Sequence, residues 1–180
     1  MKKIIAFAGS NSKNSINAQL IEYLANQITS ASTSVIKLTD FDIPMYSIDI
    51  ETEQGFPVDV TILKNKISEN DGVIISVNEH NGTVSAFFKN ILDWLSRVDR
   101  NFLSGKKILL LSTSPGARGG KNALDYAKGS LPHMGGVVVE SFSFPSFQEN
   151  FDSASQTITN PTLELGVREV MASFLQEVDG

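Results

Sequence analysis

The chain has 180 residues, a formal net charge of −5 and no cysteine. That length suits one domain of roughly 100–200 residues, and the lack of cysteine excludes disulfides, thiolate nucleophiles, iron–sulfur clusters and Cys-based zinc sites. No Lys/Arg cluster is longer than the pairs Lys2–Lys3 and Lys106–Lys107, which argues against a nucleic-acid partner, since such proteins carry a basic patch.

In chain order, the first apolar run is Ile4–Ala8. It is shorter than the roughly 7–15 residues of a signal-peptide core and runs into Ser10-Asn11-Ser12, so it reads as a buried strand, Lys3–Ala8. No stretch nears the roughly 20 apolar residues that span a bilayer. A soluble, cytoplasmic protein without a membrane partner is expected. Leu20, Ile21, Leu24, Ala25 and Ile28 then form a helical stripe, followed by a strand at Val35–Leu38 and a long connection, Thr39–Pro57. A helix with Val60, Leu63 and Ile67 precedes a strand at Gly72–Val77. Phe88, Ile91, Leu92, Leu95 and Val98 mark the next helix, and Lys107–Ser112 the next strand. A weaker helix, Lys121–Leu131, stops at Pro132. Val137–Phe142 is more mixed and reads as an edge strand. A second long connection, Pro145–Asn160, leads to a last helix with Leu163, Val167, Val170, Met171, Phe174 and Leu175.

This alternation of strand and helix, without internal repeats, predicts a single domain over residues 1–180: a doubly wound, three-layer α/β/α sandwich with a parallel sheet. Five strands favour the order 2-1-3-4-5 over the dinucleotide-binding order. Ligands of such sheets sit beyond the carboxyl ends of the strands, where the winding reverses. The loops to inspect therefore follow Ala8, Val77 and Leu111.

The first, Gly9 to Asn17, gathers Ser10, Ser12, Ser15, Asn11, Asn14 and Asn17 at a helix start and holds no carboxylate. Free N–H groups there with small polar side chains suit an anion, although Ser and Asn also serve as plain N-caps. One glycine of G-x-G-x-x-G is present, and the Walker pattern is missing, so a terminal monophosphate is expected rather than a pyrophosphate. The second loop is Asn78-Glu79-His80-Asn81-Gly82, and the third runs from Ser112 through Ser114 and Gly116 to Gly120. Its glycines allow either close approach to a flat ligand or turns with positive φ.

With these motifs in this order, the chain resembles the NADPH-dependent FMN reductase family, from about Lys3 to Asp152. The family's phosphate loop G-S-x-R-x-x-S-x-N is matched by Gly9, Ser10, Ser12, Ser15 and Asn17. Its ring loop P-E-Y-N-G and helix L-K-N-A-I-D-W are matched by Asn78–Gly82 and Phe88-Lys89-Asn90-Ile91-Leu92-Asp93-Trp94. Its S-x-G-x-x-G-G is matched by Ser114, Gly116, Gly119 and Gly120. The resemblance implies a flavodoxin-like fold and bound FMN. It further implies NADPH or NADH as hydride donor, a quinone, azo compound or free flavin as small-molecule acceptor, and a homodimer or homotetramer. The cofactor-binding residues it implies are Ser10, Ser12, Ser15, Ile16, Asn17, Asn78, Glu79, His80, Asn81, Ser114 and Gly116. No catalytic side chain is implied, because the flavin carries the chemistry. Glu79 reads as a helix cap or interface residue before a catalyst, and Trp94 as core or interface.

The family's arginine is Ser12 here, and its proline and tyrosine are Asn78 and His80. A charge-assisted hydrogen bond is worth roughly 1.5–3 kcal/mol, so the change at Ser12 alone weakens phosphate binding by about tenfold to a hundredfold. Lys13 supplies a point charge but no bidentate fork. These departures keep open a flavin-free scaffold on the same fold, and the likeness of Ser10–Ser15 to a flavodoxin phosphate loop keeps open a flavodoxin-like electron carrier.

Overall fold

A computed structural model describes residues 1–180. The chain runs through β1 (Lys3–Ala8), α1 (Ile16–Gln27), β2 (Ser32–Val35), a 3₁₀ turn at Leu38–Asp40, α2 (Ile48–Gln54), α3 (Val58–Ser68) and β3 (Gly72–Val77). It continues with a short hairpin of β4 (Glu79–His80) and β5 (Thr83–Val84), then α4 (Ala86–Val98), β6 (Lys107–Thr113), α5 (Lys121–Ser130), a 3₁₀ turn at Leu131–Met134 and β7 (Val137–Phe144). The last elements are α6 (Phe147–Asn150), the hairpin β8 (Phe151–Asp152) and β9 (Thr157–Ile158), and α7 (Pro161–Asp179).

The main sheet is five-stranded and parallel, in the order β2-β1-β3-β6-β7, which is the expected 2-1-3-4-5 when its own strands are counted. Side chains of the inner strands alternate between two faces. Ile5, Phe7, Val73, Ile75, Ile108 and Leu110 point toward α3, α4 and α5. Ile4, Ala6, Ile74, Leu109 and Leu111 point toward α1 and α7. Both faces are covered, so these strands read as unbroken apolar runs. Each Val, Leu, Ile or Phe side chain fully buried this way stabilises the fold by about 1.5–3 kcal/mol.

One strand lies elsewhere than expected. Val35–Leu38 was the predicted second strand, but β2 is Ser32–Val35, a polar, largely exposed edge. The apolar signal at its end belongs to Leu38, buried in a 3₁₀ turn against the α3–α4 side of the core. The long connections also carry structure. Thr39–Pro57 holds α2, and Pro145–Asn160 holds α6 and the β8–β9 hairpin. No helix is long and apolar enough to cross a membrane.

Candidate functional site

Because the strands are parallel and in close register, with Ala8 beside Ser76 and Val77 beside Ser112, the loops after β1, β3 and β6 leave the same edge at one height. The first loop is fastened at its root. Gly9 donates its N–H to Ser76 O at 2.9 Å and accepts from Ser85 Oγ at 2.8 Å. Ser85 is also the N-cap of α4. A Cβ on Gly9 would stand 2.8 Å from the Phe88 ring, so the glycine is what lets the loop lie on α4.

Beyond that root the loop curls on itself. Ser10 Oγ accepts from Ser12 N at 3.2 Å, Ser12 Oγ from Asn14 N at 3.3 Å, and Ser15 Oγ caps α1 by accepting from Ala18 N at 3.1 Å. The N–H groups of Ser10, Asn11, Lys13, Ser15, Ile16 and Asn17 have no protein acceptor. The Asn17 side chain turns the other way, into the sheet. Its Oδ1 accepts from Ser76 Oγ at 2.7 Å and Thr113 N at 3.1 Å, and its Nδ2 donates to Thr113 O at 3.2 Å.

The second loop is a tight hairpin. Asn81 and Gly82 have φ of 51° and 79° between the paired residues His80 and Thr83, as an Asn-Gly type I′ turn requires. His80 is exposed, with Nε2 3.3 Å from Asn78 Nδ2. Asn78 Oδ1 is buried and has no donor. The Glu79 carboxylate does not cap the following helix. It accepts from Asn122 N and Ala123 N, at the start of α5.

In the third loop the glycines divide in role. Gly119 and Gly120 have φ of 56° and 75°, and a Cβ on Gly119 would lie 2.7 Å from the Phe144 backbone. They serve the crossing toward β7. Gly116 is exposed, with only Ser114 Oγ near its Cβ direction, at 3.8 Å. Ser114 Oγ also accepts from Gly116 N, at 3.3 Å.

Asn90 and Trp94 point away from these loops. Asn90 Nδ2 and Trp94 Nε1 both donate to Pro44 O, at 2.9 and 2.8 Å, while Asn90 Oδ1 accepts from Tyr46 N at 2.7 Å. The Lys-Asn-x-x-Asp-Trp motif thus holds the chain after β2 onto α4. Between that chain and the first loop lies an open depression of about 620 Å³, with Ser12, Lys13, Ser15, Lys37 and Asp40 among its walls.

The model of the NADPH-dependent FMN reductases matches residues 2–149, a span that takes in all three loops. The chain belongs to that family. It is 31% identical to a quinone reductase of Escherichia coli K12 over 182 aligned positions, covering 98% of this chain and 96% of that protein. An NADPH:quinone oxidoreductase of Arabidopsis thaliana is 28% identical, with 96% and 89% covered. Among solved structures, the flavoenzyme NAD(P)H:(acceptor) oxidoreductase FerB of Paracoccus denitrificans superposes with a TM-score of 0.80 at 25% identity, over 99% of this chain and 98% of that one.

Within this FMN reductase fold, sequence reasoning missed three supporting residues, Ser76, Ser85 and Thr113, all buried polar groups at strand or helix ends. The Asn-Gly pair was a readable signal for the hairpin. Ser85, three residues before Phe88, was a readable N-cap. The turn of Asn17 into the sheet left no mark in the sequence.

Proposed function

We propose that this protein holds FMN across the three loops and uses NADPH or NADH to reduce a small acceptor such as a quinone, free flavin or an azo compound. One observation carries the reading: the N–H groups of Ser10, Asn11, Lys13, Ser15, Ile16 and Asn17 have no protein acceptor, in one loop with no carboxylate. A phosphate monoester supplies the acceptors they lack. Ser10, Ser12 and Ser15 add hydroxyls, and Lys13 a positive charge.

Asn78 Oδ1, buried without a donor, matches the imide N–H that an isoalloxazine carries. The hairpin at Glu79–Asn81 presents backbone N–H groups to the ring's polar edge, where donors stabilise negative charge. Ser114 and Gly116, in the loop that leaves the same sheet edge after β6, are assigned to the ring as well. Bound FMN would supply the hydride and electron transfer between nicotinamide and acceptor. The chain itself binds, orients and shields, which is consistent with the lack of any positioned nucleophile and base. The E. coli and A. thaliana relatives, named for quinones, support a quinone as acceptor.

The site is intracellular and belongs to a homodimer or homotetramer. Support for assembly comes from the number of exposed apolar side chains along the segment from Met45 to Val58, where Met45 is 68% and Val58 73% exposed and Ile48 and Phe56 are exposed too. A partner subunit would cover them. A light-scattering mass of one subunit would refute the assembly. For the activity, the FMN-loaded protein is assayed for NADPH oxidation with a panel of quinones, azo dyes and free FMN. Acceptor-dependent turnover is expected; redox cycling only through a separate reductase would assign an electron carrier instead.

A further inference from the structure

We infer that Glu79 is a positioning residue, whose carboxylate supplies the N-cap that α5 lacks and so locks the hairpin loop to the glycine-rich loop. Every helix begins with N–H groups that its own carbonyls cannot reach. At α5 the N-cap position is Gly120, with φ of 75° and no side chain to accept, and the first turn contains no acidic residue. The acceptor comes from another element. Glu79 Oε2 takes the N–H of Asn122 at 2.9 Å and of Ala123 at 3.2 Å. These are the second and third helical residues, the positions an N-cap side chain serves.

The carboxylate is half-buried and has no Lys or Arg partner within ion-pair distance. The positive end of α5 is therefore what balances its charge. The rest of the hairpin packs on the same helix, with both β4 and β5 lying against α5. In the first turn of that helix, Asn122 Oδ1 accepts from the Arg118 guanidinium at 2.7 Å. Glu79 thus fixes the start of the hairpin on α5, and packing keeps the remainder against it. The consequence for FMN rests on the function proposed above: the hairpin is held at a fixed distance from Ser114 and Gly116 before any ligand arrives. Binding then costs less ordering of the loop.

The test compares Glu79→Ala with Glu79→Gln, whose amide oxygen still accepts the two bonds. In the flavin-free protein, amide exchange at Asn122 and Ala123 is expected to quicken about fivefold in Glu79→Ala, the range of a lost N-cap. Exchange in β3 stays unchanged, and Glu79→Gln restores the slow rate. In a fluorescence titration, FMN affinity falls about fivefold in Glu79→Ala and recovers in Glu79→Gln. Unchanged exchange at Asn122 and Ala123 in Glu79→Ala would overturn the inference. So would an FMN affinity lost equally in both variants. Because exchange is read without flavin, failure of the clamp is separable from failure of FMN binding.

Discussion

Asn17 and Thr113 are joined by both faces of one amide: Asn17 Oδ1 accepts from Thr113 N, and Asn17 Nδ2 donates to Thr113 O. With Ser76 Oγ on the same oxygen, the first turn of α1 is bolted to the ends of β3 and β6. All three residues are buried. Removing the amide leaves a hydroxyl and a peptide group without partners. Asn17→Ala is therefore expected to lose about 3 kcal/mol of stability and lower Tm by roughly 6–12 °C. A calorimetric Tm within a degree or so of wild type would remove this node from the account.

The bracket on Pro44 makes a graded prediction. Trp94→Phe removes one donor and leaves part of the buried indole volume unfilled, so about 3 kcal/mol is expected to be lost. Asn90→Ala removes a donor and an acceptor, for about 2 kcal/mol. In both variants, limited proteolysis should cut between residues 41 and 57 faster than in wild type. Equal cleavage rates would mean that α4 does not restrain this segment.

Stability should fall with acid, partly through Glu51. The Arg97 guanidinium, bonded to both carboxylate oxygens at 2.8 Å, holds this carboxyl below its ordinary range, and the Tyr46 hydroxyl adds a donor. Asp71 is held low in the same sense by the backbone N–H of Lys3. A folded-state pKa below the unfolded value means that the unfolded chain binds more protons in that window. The stabilisation is thus complete above the ordinary carboxylate range and lost as pH falls through the lowered values. Urea midpoints between about pH 7 and pH 3 should drop, and Arg97→Leu should flatten part of that drop. An unchanged slope in Arg97→Leu would exclude the pair as a source.

Ser12 occupies the position that the resembled motif G-S-x-R-x-x-S-x-N gives to arginine. Ser12→Arg is expected to tighten FMN binding by about tenfold or more, the worth of one charge-assisted bond to phosphate, with little change in riboflavin affinity. An equal gain for both flavins would place the arginine away from the phosphate.

Much of this was legible before any coordinates. The buried strands β1, β3 and β6 announced themselves because both their faces are covered, so no polar alternation blurs the run. Edge strand β2 did not, since Ser32, Thr33 and Ser34 need bury little and the apolar signal moved on to Leu38. The three loops could be placed on one edge from topology alone. The directions of individual side chains could not. Asn17 belongs to a phosphate-loop motif, yet its amide serves strands from distant parts of the chain. Glu79 reaches a helix more than forty residues away. Such pairings arise from the packed fold, and no local pattern encodes them.

The proposed flavin site depends on phosphate recognition by the loop after β1. The most direct measurement is a titration of the purified, flavin-free protein with FMN and, separately, with riboflavin, followed by flavin fluorescence and the visible spectrum. Saturable quenching at one FMN per chain is expected, with riboflavin weaker by about a hundredfold for want of the charged phosphate. No quenching by FMN, or equal affinity for the two flavins, would contradict it.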